Sequence, residues 1–464
     1  MILLFLACAA PPPACPSWFS DLDGDGFGAG VGVVSCDALA GRVQQAGDCD
    51  DRDGAFFPGA EDVPLDGLDQ DCDGVDLCES TRIVQSIEDV DCEKGMHSVG
   101  GDAYSWPEGD CVCEISGNLS LGKEDFALPN GNLTRVGGVL ELNFLLEGEG
   151  QVFKNLMEVG SSLSLQAGGT HQLPRLRQVP RIDLTGGGGA WMGMPVLAQT
   201  EELLLNGGVA LELKSLSALQ ELQMLGPQED VLSAPSLQRV DRLLLYGGTL
   251  DAPALSWANT ATIQTQVALP GLVQLDTLTV DAGGQATLSH LNRVELIELA
   301  GELTAAKLTW LPRLNFEVGA QAELPALELV DFLLVEAGEL ALPGLRIARF
   351  IRVEGGGHLS LPKLTTLDTL QVAQAAVSLP LLTELPSLIL EEQAPGDFEA
   401  PRLRTVGSLY LLSETLFPAI TSIDSMEIQS AAELPKLTEL GSVNAYAPII
   451  ATSLRDAGSV TLYG

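Results

Sequence analysis

The chain has 464 residues, 63 of them acidic and 24 basic, so its formal net charge is −39. A protein surface that binds nucleic acid or anionic lipids through electrostatic attraction must be basic. This net charge therefore argues against both partners. The length allows two or three domains.

The N-terminal sequence MILLFLACAAPPPAC predicts export, with residues 1–15 forming a signal peptide and a Pro-rich tether. Phe5-Leu6-Ala7-Cys8 resembles a bacterial lipobox, in which Cys8 is the site of lipid attachment. Ordinary cleavage near Ala9 is the alternative. No Lys or Arg precedes the short apolar run, which leaves an upstream start codon open. We expect an outer-membrane or cell-surface lipoprotein, held to the membrane only by its lipid, or a secreted protein.

Residues 16–78 form an acidic module with three acidic stretches. The first, DLDGDGF at residues 21–27, has acids at positions 1, 3 and 5 of an EF-hand-like loop, glycine at position 6 and the carbonyl of Phe27 at position 7. Position 12 is Gly32 instead of glutamate. The loop therefore predicts a calcium site that other residues or water must complete.

The stretches GDCDDRDG and DGLDQDCDGVD can supply the missing ligands, so we expect ions shared between loops. The module has 15 acids against two arginines, a net charge of −13. A solvated acidic linker is the competing interpretation, but glycines and cysteines recur at loop-like spacing. The candidate calcium ligands are Asp21, Asp23, Asp25, Phe27, Asp48, Asp50, Asp51, Asp53, Asp66, Asp69, Asp71 and Asp73.

All nine cysteines precede residue 114, and residues 79–125 are interpreted as a Cys-containing cap or connector. Disulfides are favoured over zinc because no Cys-x-x-Cys occurs. With Cys8 lipidated or removed, eight remain, and they allow 105 pairings. We expect Cys49 to pair with Cys36 or Cys72, since either bond ties acidic stretches together. The candidate disulfide cysteines are Cys15, Cys36, Cys49, Cys72, Cys78, Cys92, Cys111 and Cys113.

Residues 18–76 resemble the MopE-type metal-binding motifs of bacterial surface proteins, which are similar to thrombospondin type 3 calcium repeats. WFSDLDGDGFG, GDCDD, PGAED and DGLDQDCDG carry the resemblance. It implies a disulfide-pinned loop structure around divalent cations, with the aspartates above as ligands. Many members have a cysteine where this chain has Val63-Pro64-Leu65, so one family disulfide is missing or re-paired. The family name mentions copper, but carboxylate oxygens suit calcium better.

Residues 126–464 repeat a Leu-Pro-x-Leu motif about every 18 residues, as in ELPALELVDFLLVEAG and SLPKLTTLDTLQVAQA. This period predicts an all-β domain, a right-handed β-solenoid of about eighteen short coils, with glycines at the corners. The asparagine ladder of leucine-rich repeats is missing. The repeat more closely resembles receptor L-domains, relatives of the leucine-rich class.

The body lacks Gly-x-Ser-x-Gly and phosphate-loop motifs, and its acids are expected to be scattered singly on the solvent side. We therefore expect no enzyme. The interpretation is an exported protein with a calcium-stabilised module and a solenoid that binds an unknown protein or glycan, as in adhesion. The alternative is a carbohydrate-active β-helix enzyme, a polysaccharide lyase or hydrolase. Carboxylates stacked on adjacent coils around a groove would favour that alternative.

Overall fold

The computed structural model describes residues 15–61, 70–72, 83–84, 114–115, 117–121, 134–146, 149–151, 153, 155–186, 189–226, 230–391 and 398–463. Every regular element in these ranges is a β-strand. The predicted all-β class and a solenoid of about eighteen coils are confirmed. In the same ranges no helix has the length and hydropathy needed to cross a membrane.

One long parallel sheet runs along the whole solenoid, and neighbouring strands belong to successive coils. Its strands are β7 Leu119–Leu121, β9 Leu140–Leu146, β12 Ser162–Ala167, β14 Arg181–Gly186, β16 Glu202–Asn206, β18 Ala218–Met224, β20 Arg239–Leu245, β22 Trp257–Ile263, β24 Gln274–Val280, β26 Leu296–Leu299, β28 Trp310–Phe316, β30 Leu329–Val335, β32 Ile347–Val353, β34 Thr366–Ala373, β36 Glu384–Glu391, β38 Thr405–Leu411, β40 Ser422–Ile428, β42 Glu439–Ala445 and β44 Asp456–Leu462. The first of these strands, β7, lies before residue 126 and pairs with β9.

Short parallel strands form the opposite wall of the solenoid. They are β10 Glu149–Gln151, β13 Thr170–Gln172, β15 Ala190–Gly193, β17 Val209–Glu212, β19 Val231–Ser233, β21 Thr249–Asp251, β23 Gln266–Ala268, β25 Gln285–Thr287, β27 Glu302–Thr304, β29 Gln321–Glu323, β31 Glu339–Ala341, β33 His358–Ser360, β35 Ala376–Ser378, β37 Phe398–Glu399, β39 Thr415–Leu416, β41 Ala432–Glu433 and β43 Ile449–Ile450. A narrow third sheet contains β5 Ile83–Val84, β6 Glu114–Ile115, β8 Arg135–Val136 and β11 Glu158–Val159.

The Leu-Pro-x-Leu motif is the turn that returns each coil from the short wall to the long sheet. In the coil after β33, the N–H of Leu364 donates to the carbonyl of Leu361 at 3.3 Å, and Pro362 fills the second place of the turn. Proline fits there because its fixed φ suits that position. Both leucines are fully buried. The motif therefore directs two leucines into the core at each return.

Many of the longer strands, β28 and β30 among them, bend near their third residue. The register passes from the Leu311–Val330 pair directly to the Arg313–Phe332 pair, so Pro312 and Asp331 lie at the bend. Two consecutive side chains then point outward, and burial falls on the second, fifth and seventh residues of β30. Strict period-2 alternation predicts the strands but not this bend.

The predicted corner glycines are found where the backbone requires them. Gly355 and Gly356, between β32 and β33, have φ of 67° and 84°. Side chains other than glycine rarely adopt this left-handed region. The tight reversal at this corner explains the repeated glycine pairs of the sequence.

The N-terminal module is a small sheet with the strand order β3-β1-β2-β4. Its strands are β1 Ser17–Ser20, β2 Phe27–Val34, β3 Arg42–Val43 and β4 Gln45–Ala46. β1 and β2 are antiparallel, and the first acidic loop connects them. β2 and β4 are parallel, which directs the chain after β4 back towards that loop.

Candidate metal centre

The first acidic loop is folded by its own aspartates. One carboxylate oxygen of Asp21 accepts the N–H of Gly24 at 2.8 Å, and one of Asp25 accepts the N–H of Phe27 at 2.7 Å. Asp23 accepts the N–H of Asp25 at 3.2 Å. These local bonds to backbone donors are typical of aspartate in turns. Ligand oxygens of Asp21, Asp23 and Asp25 lie within 4.8 Å of one another, as a single cation would require.

The second acidic stretch packs against this loop. The pairing of β2 with β4 ends two residues before Asp48, which is only 8% exposed. The N–H of Leu22 donates to Asp51 at 2.9 Å, which ties the two stretches together. A Cβ placed on Gly54 would lie 3.8 Å from the carboxyl carbon of Asp23. The predicted convergence of the first two stretches is therefore present in the fold.

Three carboxylate oxygens at this junction are buried and have no hydrogen-bond partner: the second oxygens of Asp23, Asp25 and Asp48. A buried carboxylate oxygen without a donor or cation is costly. Burial raises the pKa of Asp48, the Asp50 N–H opposes this, and the charges of Asp25, Asp23 and Asp51 raise it further. A bound cation would remove both penalties.

The candidate ligands do not all take part in this junction. Asp50 and Asp53 are exposed, and Asp51 binds the backbone of the first loop. Asp71 lies beside Cys72 and belongs to the third stretch. Asp66, Asp69 and Asp73 lie outside the described residues, as do Cys8, Cys78, Cys92, Cys111 and Cys113.

Two disulfides hold the module. Cys49 is bonded to Cys72, one of the two partners expected for it, and Cys15 is bonded to Cys36. The N–H of Phe57 also donates to the carbonyl of Gln70 at 2.9 Å. The second and third acidic stretches are therefore connected covalently and by a backbone hydrogen bond.

Removing the Cys49–Cys72 bond with paired serine substitutions should destabilise the module by about 3 kcal/mol, because the bond closes a loop between residues 23 positions apart. Thermal unfolding followed by near-ultraviolet circular dichroism measures this loss. Alkylation of denatured, unreduced wild-type protein should label none of these cysteines. A labelled Cys49 or Cys72 would contradict the assignment.

Two features of the solenoid were not anticipated. Asp230 is fully buried, and its carboxylate accepts three backbone N–H groups, those of Gly208, Val209 and Gly226, at 2.7, 2.8 and 3.1 Å. The sequence feature that could have pointed to this site is an acidic residue in an insertion that lengthens one coil. This buried carboxylate is satisfied by its own fold, in contrast to those of the module.

The second unexpected feature is a pair of stacked acids. Glu202 and Glu221 are in register on neighbouring strands, so the expectation of singly scattered acids is wrong here. A groove of about 430 Å³ is lined by Glu201 and Gln220 and not by this pair. Arg181 binds Glu202 at 3.1 Å, and Arg242 binds Glu221 at 3.4 Å. The hydrogen bond from Arg181 to Asp183 raises the pKa of the Arg181 guanidinium, and the negative charges of Asp183, Glu202 and Glu221 raise it further.

Comparison with known families bears on the module alone. The copper-binding MopE family model, described as "Putative metal-binding motif", matches residues 48–76. The match includes the second and third acidic stretches and begins after the loop at residues 21–27. No curated protein and no solved structure matches the chain. The chain thus combines a metal-binding motif with a β-solenoid of about eighteen coils.

Proposed function

We propose that the N-terminal module binds calcium at a site built from the first acidic loop and Asp48. The observation that carries the proposal is the set of three buried, unpartnered oxygens on Asp23, Asp25 and Asp48. Asp21 contributes a further oxygen within reach of the same ion. The carbonyl of Phe27 follows the loop as the backbone ligand that an EF-hand-like sequence supplies.

The donor set favours calcium over other divalent metals. Calcium accepts six to eight oxygen ligands in irregular geometry, whereas magnesium demands an octahedron and retains its waters. Zinc and copper prefer imidazole and thiolate ligands. Residues 16–78 contain no histidine, and Cys15, Cys36, Cys49 and Cys72 are in disulfides. Among the module's described residues the carboxylates are therefore the strongest ligands, and they are hard oxygen donors.

Isothermal titration of the full chain with calcium chloride should give saturable binding heat, and magnesium should bind more weakly. Replacing Asp21 and Asp25 together with alanine should lower calcium affinity at least about 100-fold, equivalent to about 3 kcal/mol. Asp37→Ala is the matched control, because Asp37 is exposed and outside the junction. Absence of calcium heat in the wild type, or tighter magnesium binding, would refute the proposal.

For the solenoid we propose a non-catalytic role in binding a protein or glycan. The stacked Glu202 and Glu221 are the feature that speaks for the enzyme alternative, since retaining glycosidases use carboxylates about 5 Å apart. Each is paired with an arginine, which is unlike a general acid poised to donate a proton. These contacts support a charge ladder that joins coils. The resemblance to receptor L-domains stays a prediction consistent with this role.

We further propose that the protein is exported and anchored through a lipid on Cys8. Support comes from the N-terminal sequence and from the disulfides, which require an oxidising compartment. Cys8→Ser should move the protein from the membrane fraction to the soluble fraction of fractionated cells. Unchanged membrane association would reject the lipid anchor, while release of the wild type would favour ordinary cleavage.

A further inference from the structure

The groove of about 430 Å³ lies where four successive coils enter the long sheet, just before or at the start of β14, β16, β18 and β20. Its polar lining residues are Gln178, Gln199, Glu201, Gln220, Arg239 and Asp241. Neighbouring strands of a sheet lie about 4.8 Å apart, so four coils give the groove a length of about 14 Å. It is an elongated surface feature that crosses the coils.

The groove is open because a small residue lies among long ones. Ala218 is exposed and in register with Arg239, which is in turn in register with Trp257. Alanine has only one carbon beyond the backbone, whereas the neighbouring coils contribute Gln199 and Arg239 to the same groove. The single methyl group of Ala218 therefore leaves the space between these longer side chains unfilled.

The backbone that carries the groove is fixed by hydrogen bonds between coils. The N–H groups of Glu201 and Glu202 both donate to the carbonyl of Pro180, at 2.8 and 3.0 Å. Those of Gln220 and Glu221 both donate to the carbonyl of Glu201, at 2.9 Å. A site built on a regular backbone is largely formed before its ligand arrives, and this lowers the entropic cost of binding.

One charged side chain of the groove is also held in position. The guanidinium carbon of Arg239 lies 3.9 Å from the ring centre of Trp257. Its Nε and Nη2 both contact one carboxylate oxygen of Asp241, at 3.1 Å. Stacking on the indole and pairing with the carboxylate restrict the guanidinium. These contacts leave its Nη1 available to a ligand.

The groove presents hydrogen-bond donors and acceptors side by side. Three glutamines line it, and none of their side-chain amides bonds another residue in the described part of the chain: Gln178, Gln199 and Gln220. Each amide offers an NH₂ donor group and a carbonyl acceptor. Glu201 and Asp241 add acceptors, and Arg239 adds donors.

This mixture selects among classes of ligand. A metal cation needs acceptors alone, and the guanidinium would repel it. A phosphate needs donors alone, and the two carboxylates would repel it. An apolar molecule would leave the polar groups without partners. A hydroxyl group both donates and accepts, so a molecule covered with hydroxyl groups satisfies the groove. Two carboxylates against one guanidinium favour a ligand without negative charge.

We propose that this groove binds a neutral linear glycan that lies across the four coils. The proposal rests on the proposed role of the solenoid in binding a protein or glycan, and it selects the glycan. At about 14 Å the groove is longer than one sugar ring, so it accommodates several linked sugars.

The first test is an array of neutral and acidic oligosaccharides probed with the full protein, followed by titration with the strongest ligand found. The wild type should bind neutral oligosaccharides of several sugars. Ala218→Trp should lower the affinity at least about 10-fold, because the indole fills the groove. Thr366→Trp is the matched control, since Thr366 is the exposed first residue of β34 as Ala218 is of β18. It should bind as the wild type does.

The outcomes of this test separate the groove from the broader role of the solenoid. Equal binding of a neutral glycan by the wild type and Ala218→Trp would overturn the groove site and leave a glycan-binding solenoid. Absence of glycan binding by the wild type would overturn the glycan as ligand and leave protein binding as the role of the solenoid. Binding of acidic glycans alone would also overturn the proposal.

The second test changes the chemistry of the groove and keeps its shape. Gln220→Glu replaces the amide donors with a carboxylate of the same size, so the affinity for the glycan should fall about 10-fold. Gln321→Glu, at an exposed position of the short strand β29, is the matched control and should bind as the wild type does. Unchanged or tighter glycan binding by Gln220→Glu would overturn the proposal that the amides of the groove hold the glycan.

Discussion

Replacing Leu364 with aspartate should unfold a few coils and leave the rest of the solenoid folded. Leu364 is fully buried at the end of a Leu-Pro-x-Leu turn, and an aspartate there would bury a carboxylate without a partner. The expected cost is about 4 kcal/mol, from lost packing and the unpaired charge. Each coil contacts only its neighbours, so the damage should remain local.

Limited proteolysis tests this expectation. The Leu364→Asp variant should be cut near residue 364 and yield two unequal resistant fragments, which mass spectrometry identifies. Lys363 is exposed on the same turn, so Lys363→Asp is the matched control and should resist cleavage as the wild type does. Cooperative degradation of the whole body would indicate a single globular unit and contradict coil-by-coil stability.

Asp230→Ala should lower the free energy of unfolding of the coil around the insertion by about 4 kcal/mol. The three backbone N–H groups that the carboxylate accepts would lose their partner inside the protein, and each unsatisfied donor costs about 1–3 kcal/mol. Asp230→Asn should cost less, because its one remaining oxygen can still accept from Gly208 and Val209. The stability of this coil is therefore expected to fall from the wild type to Asp230→Asn and further to Asp230→Ala.

Hydrogen exchange measures the effect at the affected amides. In Asp230→Ala, the amides of Gly208 and Val209 should exchange about 1,000-fold faster, the equivalent of about 4 kcal/mol. Asp251→Ala, an exposed acid on the next short strand, should leave their exchange unchanged. Unchanged exchange in Asp230→Ala would show that the carboxylate is not needed to hold this coil.

The repeating part of the fold was predictable because local chemistry repeats with it. One corner of each coil is defined by a proline at the second position of a turn with leucines on either side, as at Pro362. This local pattern does not depend on residues far away in the sequence. The bend at Asp331 was not predictable from the sequence. The residues before it and after it are both apolar on one face, and only the pairing register of the neighbouring strands shows where one stretch ends and the other begins. The insertion at Asp230 depends on three donors, and two of them, Gly208 and Val209, lie 22 and 21 residues earlier in the chain, where the sequence alone does not place them.

The candidate metal centre was predictable in its residue types and only partly in its arrangement. The spacing of Asp21, Asp23 and Asp25 defines a loop by itself. The parallel pairing of β2 with β4 decides that Asp48 is buried beside this loop. The same pairing leaves Asp50 and Asp53 exposed. Long-range pairing of this kind, like the choice among 105 disulfide patterns, is set by tertiary packing.

The most direct test of the calcium site is a crystal structure grown with calcium, in which anomalous scattering near the calcium edge locates the ions. We predict an anomalous peak with oxygen ligands from Asp21, Asp23, Asp25 and Asp48 at about 2.3–2.6 Å, the range typical of calcium. Absence of density between these carboxylates at saturating calcium, or ions held only by the third acidic stretch, would contradict it.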